Sequence, residues 1–347
     1  VLHFTLTPIE DFAALGQRWQ ALEHAADGGF FRSWTFLGCQ AEIRFAGARL
    51  LSATRDGEDV ALAILGQGAG RIWLNQTGNP TADSVFIEHN GLLVRAGHDE
   101  AIAPALNYAR RQAAPLMLWG IDDATLRASQ TAGWCILQQT RFAPCIDLAA
   151  LQTPYPESLS ANARSQIRRS MRLYGGTLRL ESATTPAQAT DWFTEMVGLH
   201  QAAWQRRGQP GAFADPAIIE FHTALIARAW PHQANLLRIT AQHKTLGILY
   251  NFVSRNRMLA YQSGFAATED ARLKPGLVCH SLAIEHARAC GLHSYDLLAG
   301  DDRYKTTLAK TGQNLHWAVM HRPWSFKGIR DESTSFLKKR SKKRLRF

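Results

Sequence analysis

Residues 235–265, NLLRITAQHKTLGILYNFVSRNRMLAYQSGF, hold three runs of β-branched and aromatic residues separated by short polar turns at His243-Lys244 and Arg255-Asn256. That is the pattern of an antiparallel three-stranded meander. PGLVCHSLAIEHARACG (275–291) follows with apolar residues at helical spacing, a proline in the first turn and a glycine at the stop. HSYDLLAG (293–300) then reads as a strand and YKTTLAKTG (304–312) as a helix. Meander, helix, strand, helix is an α/β arrangement in which a largely antiparallel sheet carries its helices on its faces.

Upstream of the meander, NARSQIRRSMRLYGG (162–176) reads as a basic helix capped by Ser160 and stopped by Gly175-Gly176, and TLRLESA (177–183) as a strand. Residues 185–208 and 215–230 are two amphipathic helices, each opened by a proline. The first 150 residues share this layout without sharing its residues. Phe12, Leu15, Trp19 and Leu22 mark one helical face within 10–25, and residues 48–78 read as a second meander that turns at Asp56-Gly57 and at the glycines of 66–70. SVFIEHNGLLV (84–94) is strand-like to loop; helix, strand, helix and strand follow over 99–113, 115–121, 122–133 and 134–148. LQTPYPESLS (151–160), with two prolines, is the expected linker. The expected organisation is a domain at 1–150, a second at 161–330 and a basic tail at 331–347, in keeping with a length of 347 residues.

Bulk properties exclude several classes. A content of 46% hydrophobic and 20% charged residues is globular, and no run reaches the length of a membrane span. The N-terminal residues lack signal-peptide character, so a cytoplasmic location is expected. Five scattered cysteines with no C-x-x-C pair point to free thiols, and the thirteen histidines show no ligand spacing, so no metal is expected. Of the net charge of +10, the segment KKRSKKRLRF (338–347) supplies seven positive charges, so the basic character belongs mainly to a tail. Such a tail is expected to be solvated, with contact to polyanions or an anionic membrane surface as the alternative. H-E-x-x-H, G-x-S-x-G and the P-loop are absent, and GQGAGR (66–71) joins two strands rather than opening a helix.

What remains is geometric. Between Tyr261 and Lys310 a strand ends in a loop, the loop opens a helix, and the helix leads to a strand ending in charged residues. A helix start presents unpaired N–H groups and a positive dipole end, which makes LKPGL (273–277) a candidate phosphate site. Gly276 allows close approach there, and Arg272 and Lys274 add charge. An ordinary proline-started helix with flanking charges fits the same residues.

The stretch PGLVCHSLAIEHARACGLHSYDLLAGDDRYKTTLA resembles the C-terminal signature of the CelD-like acetyltransferases, a group of the GNAT superfamily. It does so through Pro275, Gly276, Gly291, Asp296, Gly300, Asp301, Tyr304 and Lys305. Arg164, Arg168 and Arg169, and the segment LHQAAWQRRG with His200 and Trp204, match as well, so the resemblance spans most of the second half. FFRSWTFL and RDGEDVALAIL in the first half are compatible with it. The layout is also similar to the Fem-type aminoacyltransferases of peptidoglycan synthesis, which pair two GNAT-like domains. The fold implied is α/β, with two tandem GNAT-like domains, the first degenerate, each a central mixed, largely antiparallel sheet flanked by helices.

The resemblance implies N-acyl transfer from acyl-CoA or acetyl-CoA, as co-substrate, to a small or glycan-linked amine. Direct attack on the thioester requires no activated serine or cysteine. Asp296 is the expected base, with an equally open role as a buried aspartate orienting Lys305 or Tyr304. Lys305 is expected to stabilise the oxyanion or bind a phosphate, and Tyr304 to protonate the thiolate or simply to pack. Arg272, Lys274, Gly276 and Leu277 are expected to hold the pyrophosphate. Glu88, His89, Arg168, His200, Trp204 and Gln262 are expected to line an acceptor site between the domains. One departure matters: the GNAT pyrophosphate loop reads Q/R-x-x-G-x-G/A, and residues 272–277 keep the arginine but displace the glycine. An acyl carrier protein and, on the Fem-type pattern, charged tRNA therefore stay open as donors. A non-catalytic protein holding an anionic glycan, lipid or RNA is the expectation of a different class.

Overall fold

The structure is a computed structural model that describes residues 1–321 apart from 46, 85–86, 113–114, 176 and 301; Asp301 and the tail lie outside the described residues. The first half runs β1 (Leu2–Pro8), α1 (Phe12–His24), α2 (Trp34–Arg44), β2 (Arg49–Arg55), β3 (Glu58–Gly68), β4 (Arg71–Leu74), β5 (Leu93–Val94), α3 (Ile102–Gln112), β6 (Leu116–Ile121), α4 (Asp123–Ala132) and β7 (Cys135–Asp147). A short α5 (Tyr155–Ser158) leads to α6 (Ala161–Leu173), β8 (Leu178–Ser182), α7 (Pro186–Gln205), α8 (Pro216–Ala229), β9 (Ala234–Ala241), β10 (Lys244–Ser254), β11 (Arg257–Phe265), α9 (Pro275–Ala289), β12 (Ser294–Asp296), α10 (Arg303–Leu308) and β13 (Gly312–Met320).

Local chemistry sets these limits. Asp11, Ser33, Asp122, Ser160, Thr185 and Asp215 each accept a first-turn N–H with the side chain, satisfying donors that a helix start leaves free. The hairpins turn on pairs at positive φ, namely Asp56-Gly57, Gln242-His243 and Arg255-Asn256, as two-residue turns require. The β9–β10 turn therefore sits one residue before the expected His243-Lys244. Helix α2 has no counterpart in the sequence reading, because residues from Trp34 to Ala41 are buried on nearly every side and show no amphipathic stripe.

The strands form one sheet in the order β1-β2-β3-β4-β6-β13-β7-β12-β11-β10-β9-β8, with β5 beside β3. The two halves mirror each other in this order and exchange their last strands. β13, from the second half, pairs with β6, and β7, from the first half, pairs with β12. β7 and β13 themselves lie antiparallel at the centre. The expected linker is packed rather than loose: Tyr155 is buried and its hydroxyl donates to the Leu308 carbonyl at 2.6 Å.

One face of the sheet carries a core shared by both halves. Trp19, Phe30, Phe31 and Phe36 meet Phe193, Phe221, Tyr250 and Phe252 there, and the Phe30 and Phe252 rings stack at 3.9 Å between centroids. On the other face, α3 and α4 cover the first half, while α6, α9 and α10 cover the second. Burying aromatic pairs across the junction makes it a core rather than a hinge, each large side chain contributing on the order of 2–3 kcal/mol.

Candidate active site

β11 and β12 run parallel from Arg257/Ser294 to Leu259/Asp296 and are paired no further, although β11 continues to Phe265 alongside β10. Asp296 is therefore the last paired residue at a fork between two strands. Its carboxylate has no solvent exposure. Oδ1 accepts the Leu298 N–H at 2.8 Å, while Oδ2 faces His89 Nε2 at 3.0 Å and Arg257 Nη1 at 3.7 Å. The Oδ2–Nε2 approach is out of line for a directed hydrogen bond, so the two groups are in close contact without one. Arg257 supplies the opposite charge that a buried carboxylate requires, and the Leu298 N–H a hydrogen bond.

The chain beyond Asp296 is held from both halves. Leu298 sits at φ +58, Ala299 donates its N–H to Glu88 Oε2 at 2.6 Å, and Lys305 Nζ donates to the carbonyls of Leu298 (3.2 Å) and Ala299 (2.9 Å). A Cβ on Gly300 would lie 2.7 Å from Nζ, so glycine is what lets the ammonium reach those carbonyls. Burial pushes the Glu88 carboxyl up from its ordinary value, against the pull of Lys305 and the Ala299 N–H. Burial likewise holds the Lys305 ammonium down, against Glu88, Asp302 and Asp296.

This fork meets a cleft of about 260 Å³ lined by both halves, with Phe30, Phe31 and Leu259 as apolar wall and Arg32, His89, Asp122, Arg255, Arg257 and Gln313 among the polar groups. Arg32 fixes the first-half side, donating to the His89 carbonyl at 2.9 Å and pairing with Asp122 at 2.8 Å. It thereby holds His89 at its φ of +50. Gln313, on β13, places its amide nitrogen 3.0 Å from His89 Nδ1.

Of the residues singled out in the sequence, Asp296, Lys305, Glu88 and His89 come together here. Tyr304 is turned away, stacked on His280 at 5.3 Å between centroids, and burial raises its phenol pKa. His200 spans α7 and β11: Nδ1 donates to the Ser263 carbonyl at 3.1 Å and Nε2 accepts the Ala212 N–H at 3.3 Å, so one neutral tautomer satisfies both. Trp204 lies beside that ring and under Arg207, and Gln262 is half-buried in β11 opposite Tyr250. Arg168 is half-exposed and paired with Glu157. At the α9 start, Arg272 is exposed and forked onto Asp270, the Lys274 N–H donates to Ser170 Oγ of α6 at 2.9 Å, and Gly276 lies beside the Phe265 ring. Leu277 packs into the core. Arg257, Arg32 and Gln313 were not anticipated: Arg257 arrives by the pairing of β11 with β12, Arg32 by its contacts with His89 and Asp122, and Gln313 by strand exchange, none of which leaves a local pattern. Among the described residues no group of side chains is arranged to hold a metal ion.

Residues 161–306 match the family model of the acetyltransferase (GNAT) domain. The protein is an acyltransferase by that domain, and its two halves share the mixed-sheet layout. No curated protein sequence matches the chain. Among the solved structures that match, three illustrate the shared fold. FemX is 11% identical, with a TM-score of 0.58 over 90% of this chain and 96% of its own. The C-terminal domain of a putative lysylphosphatidylglycerol synthetase from Agrobacterium fabrum is 13% identical, with a TM-score of 0.56 over 94% and 95%. A tandem GNAT protein from the clavulanic acid biosynthesis pathway is 11% identical, with a TM-score of 0.51 over 92% and 98%. Among the described residues no helix is long and apolar enough to cross a membrane.

Proposed function

We propose that the protein is an N-acyltransferase that moves an acyl group from a thioester, acyl-CoA in the first instance, to an amine seated in the cleft between the halves. The observation that carries this reading is the meeting of the β11–β12 fork with that cleft at His89 and Arg257, the two cleft residues that touch Asp296. A fork leaves one edge of β11 unpaired beyond Leu259, and an extended donor arm can lie along such an edge. The α9 start closes the far end. Gly276 and Leu277 open the helix there, where helical geometry provides no acceptor for their N–H groups, and Lys274 and Arg272 flank them. The Lys274 N–H is already taken by Ser170, so a pyrophosphate there would rest on the two following N–H groups. The CelD-like resemblance runs through Pro275, Gly276, Gly291, Asp296, Gly300, Asp301, Tyr304 and Lys305, and of these Gly300 and Lys305 together shape the turn after Asp296.

Fem-like transfer from a charged tRNA is the second reading, favoured by the layout shared with FemX and by the exposed Arg169 and Arg172 on α6, close to the α9 start. Release of free thiol from acyl-CoA, followed across a panel of primary amines, tests the first reading. Transfer that proceeds only with charged tRNA replaces it with the second.

A further inference from the structure

We propose that His89, contributed by the first half, is the group that takes the proton from the attacking amine, with Asp296 as the positioning residue behind it and Gln313 as a placeholder for the amine. This deepens the acyl-transfer reading and rests on it. Asp296 is fully buried and does not line the cleft, whereas His89 does. A buried carboxylate 3.0 Å from Nε2, though out of line for a directed bond, favours by its negative charge the proton on that nitrogen, which leaves a lone pair on Nδ1. Nδ1 faces the side-chain amide of Gln313 at 3.0 Å, and the tautomer requires that amide to present its N–H. Gln313 lines the cleft too and is only half-buried, so an incoming N–H can replace it on Nδ1. The backbone of His89 is held at φ +50 by Arg32, which keeps the ring between Asp296 and Gln313.

The step balances on these groups. As the amine nitrogen forms its bond to the thioester carbonyl carbon, Nδ1 takes one proton from that nitrogen, and the imidazolium formed is stabilised by Asp296. The C–S bond breaks and the thiolate leaves with the electron pair. The proton on Nδ1 then passes to the thiolate, returning a neutral imidazole, an amide and a thiol.

The test combines 15N NMR of histidine-labelled protein with kinetics of three variants. The resting protein is expected to show His89 with Nδ1 unprotonated, and added n-butylamine is expected to move that resonance. His89→Gly, which tolerates positive φ and leaves room for a small base, is expected to lower kcat by roughly 10²–10⁴ with little change in the KM for the thioester, and added imidazole to restore part of the rate. Gln313→Glu, nearly isosteric, sets an acceptor against Nδ1 and draws a second proton onto the ring, so a loss of similar size is expected. Asp296→Asn is expected to lower kcat and to release the Nε2–H tautomer in the spectrum. A protonated Nδ1 in the resting protein, or a Gln313→Glu variant within about twofold of wild type, overturns the proposal. Should no thioester and amine pair turn over, the acyl-transfer reading falls. The tautomer and its response to n-butylamine then decide the role of His89 separately: a resonance that moves supports it and one that does not overturns it.

Discussion

Ala299 is gripped from two sides, its N–H by Glu88 and its carbonyl by Lys305, and the space for that second grip exists because residue 300 has no side chain. Gly300→Ala is expected to shift the ammonium against the two carbonyls without freeing it from them and to lower kcat at least tenfold, with a melting temperature close to wild type, since the far end of a lysine can move aside. Lys305→Met is expected to cost more in stability, about 1–3 kcal/mol by urea unfolding, because two buried carbonyls lose their donors. His222 and His280 behave differently. Both are buried, and burial lowers each to about 3. A depressed folded-state pKa means stability that is complete above the ordinary value of 6.5 and is lost as pH falls toward 3. At pH 5 each histidine is expected to withhold about 2 kcal/mol. Urea midpoints measured from pH 7 to 5 check this, and His222→Phe is expected to flatten the slope. The residue types at the fork were legible in the sequence through the family resemblance, which singles out Asp296 and Lys305. Their division of labour was not: Tyr304 looks equivalent on paper, yet its ring stacks on His280, away from the fork.

Among the elements, β11, α9 and β12 form a unit in which the fork and the helix start face the same gap. The meander and the proline-started helix that announce this unit were plain in residues 235–291, because period-two strands, two-residue turns and a helix with Pro and Gly at its ends are local signals. The α6–α9 contact was not local, and it changes the chemistry of the loop: Ser170 occupies the Lys274 N–H and Arg272 leans on Asp270. Arg272→Ala with Lys274→Ala is therefore expected to raise the KM for an acyl-CoA roughly tenfold, the loss of about one charge-assisted hydrogen bond, with the KM of the amine little changed. Steady-state kinetics with each substrate varied in turn check this. A rise confined to the amine places the loop on the acceptor side.

At the scale of the whole molecule, the exchange of β7 and β13 and the shared aromatic core tie two similar halves into one sheet. The repeat of layout was readable from the order of elements. The exchange was not: β13 at Gly312–Met320 lies beyond the last element read in the sequence, and β7 could by its pattern have closed its own half. Leu315→Ala in the fully buried centre of β13 is expected to cost about 2–5 kcal/mol and to lower one common unfolding transition, with amides of both halves losing protection together in hydrogen exchange. The same exchange brings Gln313 to His89, and the contact between halves brings Glu88 to Ala299, so the site needs both halves. The most direct measurement of the central claim follows acyl-CoA and a primary amine together, counting free thiol and N-acylated product for the wild type and Asp296→Asn. The expected result is one thiol per acylated amine, with the variant slower by roughly 10²–10⁴. Thiol release without acylated amine, or acylation of the amine only when charged tRNA replaces the thioester, contradicts it.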